Sequence, residues 1–437
     1  MKEKTLHSLV LCLATIAVLL LTGCNTDLTD FESTTSVGQA QVTTTSSLRT
    51  ENEAMATALA MRQSFGGITR GSATCEIGDV YAWRSCDILS GKAVTRGNSQ
   101  QTNTSSTDTL MYIVNFKDNN GYALVAADKG SGESILALVE KGHLTPDDDI
   151  ADSGFKLFIN RIAAKLSMPP TTNLPDSIIG GGWPRIPNDS MGIDLPVYDF
   201  TLVEELQPML QTEWNHKASP FNDKCPLING QHADAGSEAI AIAQLCAYYQ
   251  YYHYKYPDHF EDLLDASAEP LTEEGKEKVA DWVYEIANGI DTDFDLDHST
   301  ASFNDVKYHL EYYAYYGYSN NEVYSFERCK EALNSYGPIF VNGLDSQQNK
   351  RYSWVIDGYK ITRNVEPIMI DFGLYIYPIV YRNFVHCNWG EGANNTNGYF
   401  LDMAFKPYGT AHPNYSEDLK VLYDIYYHGI PTGSNSF

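Results

Sequence analysis

Residues 235–252 (AGSEAIAIAQLCAYYQYY) are apolar on nearly every side of a 3.6-residue repeat, and this constrains the chain more than any other feature. A helix with no polar stripe has to be enclosed, so a whole domain must be built around it. Further helical periodicity covers 271–290 and 303–316. Strand-like runs follow at 338–344, 352–361, 374–382 and 384–388, and another begins at Gly398. Helices first and antiparallel strands after predicts an α+β domain in two segregated parts, a helical lobe and a β lobe, over residues 201–437.

A smaller α+β unit precedes it, over residues 51–167. An Ala/Met-rich helix at 53–65 leads into two β-prone runs, 110–116 and 122–127, joined by Lys117-Asp-Asn-Asn-Gly121 in the manner of a hairpin. A third strand at 134–139 and an amphipathic helix at 154–166 complete it. Residues 168–200 read as a linker, with six prolines and three consecutive glycines between Met168 and Pro196.

The first residues are a targeting segment and not part of the fold. Lys2 and Lys4 precede an apolar stretch, Leu6 to Leu21, that is too short and wrongly flanked for an ordinary membrane span. It closes on Leu21-Thr22-Gly23-Cys24, which looks like a bacterial lipobox. That likeness implies cleavage after residue 23, a lipid on the Cys24 sulfur, and residues 24–50, rich in Ser and Thr, as a tether to the cell envelope, periplasmic or surface-facing. Contact with membrane is expected only through that lipid. The net charge of −26 leaves no basic surplus for nucleic acid. Export permits disulfides among Cys75, Cys86, Cys225, Cys246, Cys329 and Cys387, with Cys75 and Cys86 the nearest pair and buried thiols the reading for the rest. No spacing of Cys or His suggests a metal, and no cofactor is expected. The run of tyrosines from Tyr248 to Tyr256, within a total of 30, reads as rings packing a core with hydroxyls at its rim.

Several short motifs share one order and spacing: Trp214 with Pro220-Phe221-Asn222, Ala239 to Gln244, Trp354-Val-Ile-Asp-Gly-Tyr359, Asn388-Trp389-Gly390 and Asn397-Gly-Tyr-Phe400. In these the second domain resembles the streptopain family of papain-fold cysteine peptidases. Tyr112 to Asp128 (YIVNFKDNNGYALVAAD) is similar to their inhibitory propeptide. The resemblance implies a papain-like fold and a site made of a helix-start cysteine, a strand histidine, an orienting asparagine and an oxyanion glutamine. A helix dipole and a nearby imidazolium would keep such a cysteine ionised.

Three of those four positions are changed. Gly236-Ser237-Glu238-Ala239 puts Ser237 at the nucleophile position, Arg351-Tyr352-Ser353-Trp354 puts Tyr352 at the base, and Trp214-Asn215 is followed by His216 at the oxyanion position. Asn388 and its neighbour Trp389 remain, and Glu391 stands where the family has a second tryptophan. Each change has an ordinary reading as well: a serine N-cap, a packed strand tyrosine, a surface histidine. A phenol, with a usual pKa near ~10, is protonated at neutral pH and is no base for a hydroxyl. No other cysteine substitutes. Cys246 is nine residues past Ser237, about 900° around a helix and so on its opposite face. Cys225 sits in a proline-flanked loop, and Cys387 alternates with His386 along a strand.

The expectation is an exported, lipid-anchored homologue that binds a peptide or protein without cleaving it. A site rewired as Ser237 with His216, and an inhibitor acting through residues 51–167, are the alternatives. Cys24→Ser is expected to move the protein from the membrane fraction to the soluble fraction on differential centrifugation; unchanged membrane recovery would contradict the lipobox.

Overall fold

The computed structural model describes residues 48–66, 76–85, 88, 108–131, 133–148, 150, 153–167, 199–249, 272–314, 316–319, 323–345, 348–365, 368–370, 374–376, 379–392, 396–406 and 419–427. The signal segment, Cys24, most of the 24–50 tether, Cys75 and Cys86, the linker up to residue 198 and Tyr251 to Tyr256 all lie outside these residues. None of the described helices is long and apolar enough to cross a membrane.

The first unit runs α1 (Glu51–Ser64), β1 (Ile77–Arg84), β2 (Thr109–Phe116), β3 (Tyr122–Ala126), β4 (Ile135–Val139) and α2 (Gly154–Leu166). The second runs β5 (Asp199–Leu206), α3 (Ser237–Tyr248), α4 (Glu273–Gly289), α5 (Phe303–Tyr308), β6 (Tyr316–Ser319), α6 (Phe326–Ser335), β7 (Ile339–Asp345), β8 (Lys350–Val365), β9 (Ile379–Asn388), β10 (Gly398–Leu401) and β11 (Leu419–Tyr427). Order begins earlier than the tether boundary at residue 50 suggests. Leu48 bridges Asp128, Arg49 donates to Ala126 O at 2.7 Å and to Ser134 Oγ at 2.8 Å, and Thr50 closes a capping box with Glu53. The linker likewise yields to strand β5 two residues before its expected end.

Both units share one sheet. Its strand order is β1-β2-β3-β4-β10-β9-β8-β7-β11-β6, with β5 also paired to β8, eleven strands in all. The junction is the antiparallel pairing of β4 with β10, in register Gly398↔Val139, Tyr399↔Leu138 and Phe400↔Ala137. Gly398 is required there by space: a Cβ would lie 2.5 Å from Leu138 O.

Alternation along β7, β8 and β11 feeds two cores. Ile339, Val341, Trp354, Ile356, Val421 and Tyr423 join the cluster containing the first unit. Phe340, Val355, Leu422 and Ile425 join the cluster around α3 and α4. As expected of its all-round apolar sequence, α3 is enclosed from Ser237 to Ala247. Against the opposite face lies α2. A Cβ on its Gly154 would come within 2.5 Å of the Trp389 ring, Phe158 packs edge-on to Phe400 at 4.8 Å, and Arg161 Nε donates to Ala404 O at 2.8 Å. Lys360 adds a charged tie, donating to Phe65 O at 2.8 Å and Glu205 at 2.9 Å with the Phe65 and Tyr399 rings beside it.

Some elements differ from expectation. Helix α3 begins at Ser237 and not at Ala235. The helix expected over 303–316 ends at Tyr308 and continues as a single π-turn through Tyr313. The runs at 374–382 and 384–388 resolve into a short strand, Leu374–Ile376, and the long β9. The four described cysteines, Cys225, Cys246, Cys329 and Cys387, are buried free thiols. Tyr249 has the predicted rim geometry, its hydroxyl reaching Tyr336 O at 3.3 Å.

Gly398→Val tests the junction. Its side chain must displace the Leu138 backbone, a strain that costs about 1–3 kcal/mol in other close-packed sites. The expected result is a lower urea midpoint at unchanged m-value; no change in midpoint would show that β4 and β10 are not tightly joined.

Candidate functional site

The segment before α3 is folded onto the loop after β9. Trp214, fully buried, stacks on Phe221 at 5.6 Å and meets Trp282 edge-on at 5.5 Å. Gly392 N–H donates to Trp214 O at 2.9 Å, and the Asn215 amide donates to Glu391 O at 2.9 Å. His216 follows directly. Its N–H bonds Gly390 O at 3.1 Å and its carbonyl accepts from Ala235 N–H at 2.9 Å.

His216 is therefore an interior residue and not a surface one, 3% exposed, with Nδ1 2.6 Å from Asp234 Oδ1. Burial works to lower its pKa, but the charge and hydrogen bond of Asp234 outweigh that and raise it. Asp234 also accepts from Gly236 N–H at 2.8 Å and Ser299 N–H at 3.3 Å. His216 and Asp234 thus form a buried ion pair. Its ring is not bonded to Ser237.

Ser237 is the first residue of α3, and the N-cap is Gly236 at φ 89°, a conformation that favours glycine. The serine hydroxyl is consequently not a capping group. It accepts Ser353 N–H of β8 at 3.0 Å and donates to Glu238 Oε2 at 3.3 Å, and it has no further side-chain partner among the described residues. Glu238 is fully buried. Its Oε1 accepts from Ser353 Oγ and Asn342 Nδ2, both at 3.3 Å, and Arg351 reaches Asn342 Oδ1 at 2.8 Å. Burial pushes the Glu238 carboxyl up to about 7, against the pull of its hydrogen bonds.

Tyr352 lies beside Ser353 in β8, opposite Gly343 of β7, buried to 2% exposure. Its ring is 4.8 Å from that of His298. Asn388 is not arranged to orient a base. Its amide donates to Thr212 O at 2.7 Å and Gln244 Oε1 at 3.2 Å, and its oxygen accepts from Gly390 N–H at 3.1 Å. Trp389 packs on Trp354 at 5.1 Å and donates Nε1–H to Thr396 O at 3.0 Å. Burial raises the pKa of the Glu391 carboxyl, which the Ser153 hydroxyl at the start of α2 counters by hydrogen bonding. Glu391 thus meets the first unit.

The structure brings Ser237, Tyr352 and His216 into one neighbourhood but connects them to other partners. Glu238, Asp234 and a second buried pair, His386 with Asp357 (Nδ1 to Oδ1, 2.6 Å), were not identified from sequence. Glu238 carried a signal, as the one charge in an apolar helix. The excluded cysteines stay excluded: burial pushes the Cys225 thiol up to about 12 and raises Cys246 and Cys387 strongly.

The Peptidase C10 family matches residues 214–400, and the Spi protease inhibitor family matches residues 76–165. The chain is a streptopain-family homologue carrying its propeptide inhibitor domain. Among solved structures, a Prevotella intermedia prointerpain A fragment is 18% identical, with 74% of this chain and 96% of that chain covered and a TM-score of 0.48. The active wild-type P. intermedia interpain A cysteine protease is also 18% identical, covering 51% and 95% with a TM-score of 0.35. No curated protein matches the chain. The family boundaries agree with the geometry, since residues 214–400 contain every side chain of the candidate site.

Glu238 gives this homologue a pH signature. Its folded pKa of about 7 lies above the usual carboxylate value, so its contribution to stability is full in acid and is lost as pH rises toward 7. The loss approaches about 3 kcal/mol if the site stays dry. Glu238→Gln is expected to flatten the urea-midpoint profile between about pH 4.5 and 7; a profile as steep as that of wild type would assign the slope to other groups.

Proposed function

We propose that this streptopain-family homologue is a lipid-anchored envelope protein that does not hydrolyse peptides. It acts by binding a peptide or protein ligand, with its inhibitor domain still attached. The observation that carries this reading is the state of the Ser237 hydroxyl, held between Ser353 N–H and Glu238 in the wall between α3 and β8. A nucleophile has to face its substrate with a base in reach. Losing nucleophile and base together costs roughly a million-fold in a well-studied serine peptidase.

The rewired alternative, Ser237 served by His216, has weaker support because the Ser237 hydroxyl bonds Ser353 N–H and Glu238 and not the His216 ring. The residues also explain why a single reversion is not enough. A thiol at position 237 would face the Glu238 carboxyl, and a second negative charge there raises its pKa where a peptidase needs it lowered. Restoring glutamine at 216 alone would strand Asp234 without its counter-ion, a change that costs about 3–5 kcal/mol in buried pairs.

The wild type and Ser237→Cys are expected to leave casein and the linker of the chain itself uncut. Cleavage is expected to appear only when Ser237→Cys and Tyr352→His are combined. It should rise again with Glu238→Val and with the coupled change His216→Gln, Asp234→Asn, in a non-additive series. Substantial casein cleavage by the wild type, abolished by Ser237→Ala, would overturn the proposal.

A further inference from the structure

Apart from the Ser237 neighbourhood, the molecule has a polar cleft where the inhibitor domain meets the β lobe. About 120 Å³ is enclosed by Glu140 and Lys141 just after β4, Thr212 and Glu213 after β5, and His386 and Asn388 of β9. One water needs only ~10–15 Å³ of such space, so the cleft accommodates a small molecule.

Its walls carry unused hydrogen-bonding capacity. His386 is 6% exposed and held by one side of its ring, Nδ1 on Asp357 Oδ1, while Asp357 Oδ2 accepts Leu210 N–H at 2.9 Å. That leaves Nε2 with no partner among the described residues. An imidazole edge left unmatched is costly, and a ligand that pairs with it recovers the loss.

The charges select the ligand. Lys141 pairs with Glu213 at 2.7 Å, and Asp357 balances His386. Glu140 has no ion-pair partner among the described residues, so the cleft carries a surplus of negative charge beside neutral hydrogen-bonding groups. An anion is disfavoured there, and a cation with an adjacent acceptor fits.

We propose that this cleft binds a primary ammonium next to a carbonyl, the pattern of an amino-acid amide or a peptide N-terminus. The ammonium faces Glu140, and the carbonyl oxygen accepts from His386 Nε2–H. Because Glu140 and Lys141 come from the inhibitor domain, the site exists only while that domain is docked. This inference does not depend on whether Ser237 is inert.

Calorimetric titration of the full chain with glycinamide tests it, with N-acetylglycinamide, which lacks the ammonium, and acetate as controls. Saturable binding of glycinamide is expected, with N-acetylglycinamide at least about tenfold weaker, the ratio that 1.4 kcal/mol produces, and acetate silent. Glu140→Gln, at the cleft wall and outside the His386–Asp357 pair, should weaken glycinamide several-fold. Absence of glycinamide binding to the wild type, equal binding of the acetylated probe, or unchanged affinity in Glu140→Gln would overturn the proposal.

Discussion

Strand β8 has to be buried on both faces at once, and the arrangement of the molecule follows from that. One alternate set of its side chains, Trp354 and Ile356, needs cover on the side of the inhibitor domain. The other, with Ser353 and Val355, lies against α3. A sixteen-residue strand flanked by β5, β7 and β9 is paired on both edges over most of its length, so neither face can be left to solvent without baring large apolar groups. The helical lobe covers one side. Helix α2 and strands β1 to β4 cover the other.

Docking of the inhibitor domain is therefore part of the core and not an addition to it. Separation would expose Trp354, Trp389 and Phe400, each at most 1% exposed, at a cost of about 1.5–3 kcal/mol per large side chain. It would also break the β4–β10 ladder and leave the buried Lys360 ammonium without Phe65 O. The close approach of Gly154 to Trp389 shows how tightly the two surfaces fit. In such a structure the occupied face of β8 and the cleft beside His386 are properties of the joined domains.

Much of this fold was legible because it rests on local pattern. The Ala/Met run from Glu53 marks α1, the Lys117 to Gly121 turn marks the β2–β3 hairpin, and the amphipathic pattern from Gly154 to Leu166 marks α2. Helix α6 and strands β1, β5, β6 and β11 were missed; their sequences become regular only against distant partners, as when β5 pairs with β8. The positions of Ser237, Tyr352 and His216 could be read from motif spacing. Their partners could not, because Ser353 is 116 residues from Ser237. A surface assignment for His216 failed for the same reason, since the burial that overrides it is supplied by the 389–392 loop and by Asp234.

The changed residues at the site are physically matched to their neighbours. A thiolate at 237 and a buried carboxylate at 238 repel each other in a medium of low dielectric, so each makes the other untenable. A serine hydroxyl has no such conflict and donates to the carboxyl instead. At position 216 the logic runs the other way. A neutral glutamine needs no counter-ion, whereas a buried histidine gains one in Asp234, which in turn fixes Gly236 N–H and the start of α3. Once Ser237 and Glu238 are both present, Ser353, Asn342 and Arg351 close around them as one hydrogen-bonded network. That network joins α3 to β7 and β8.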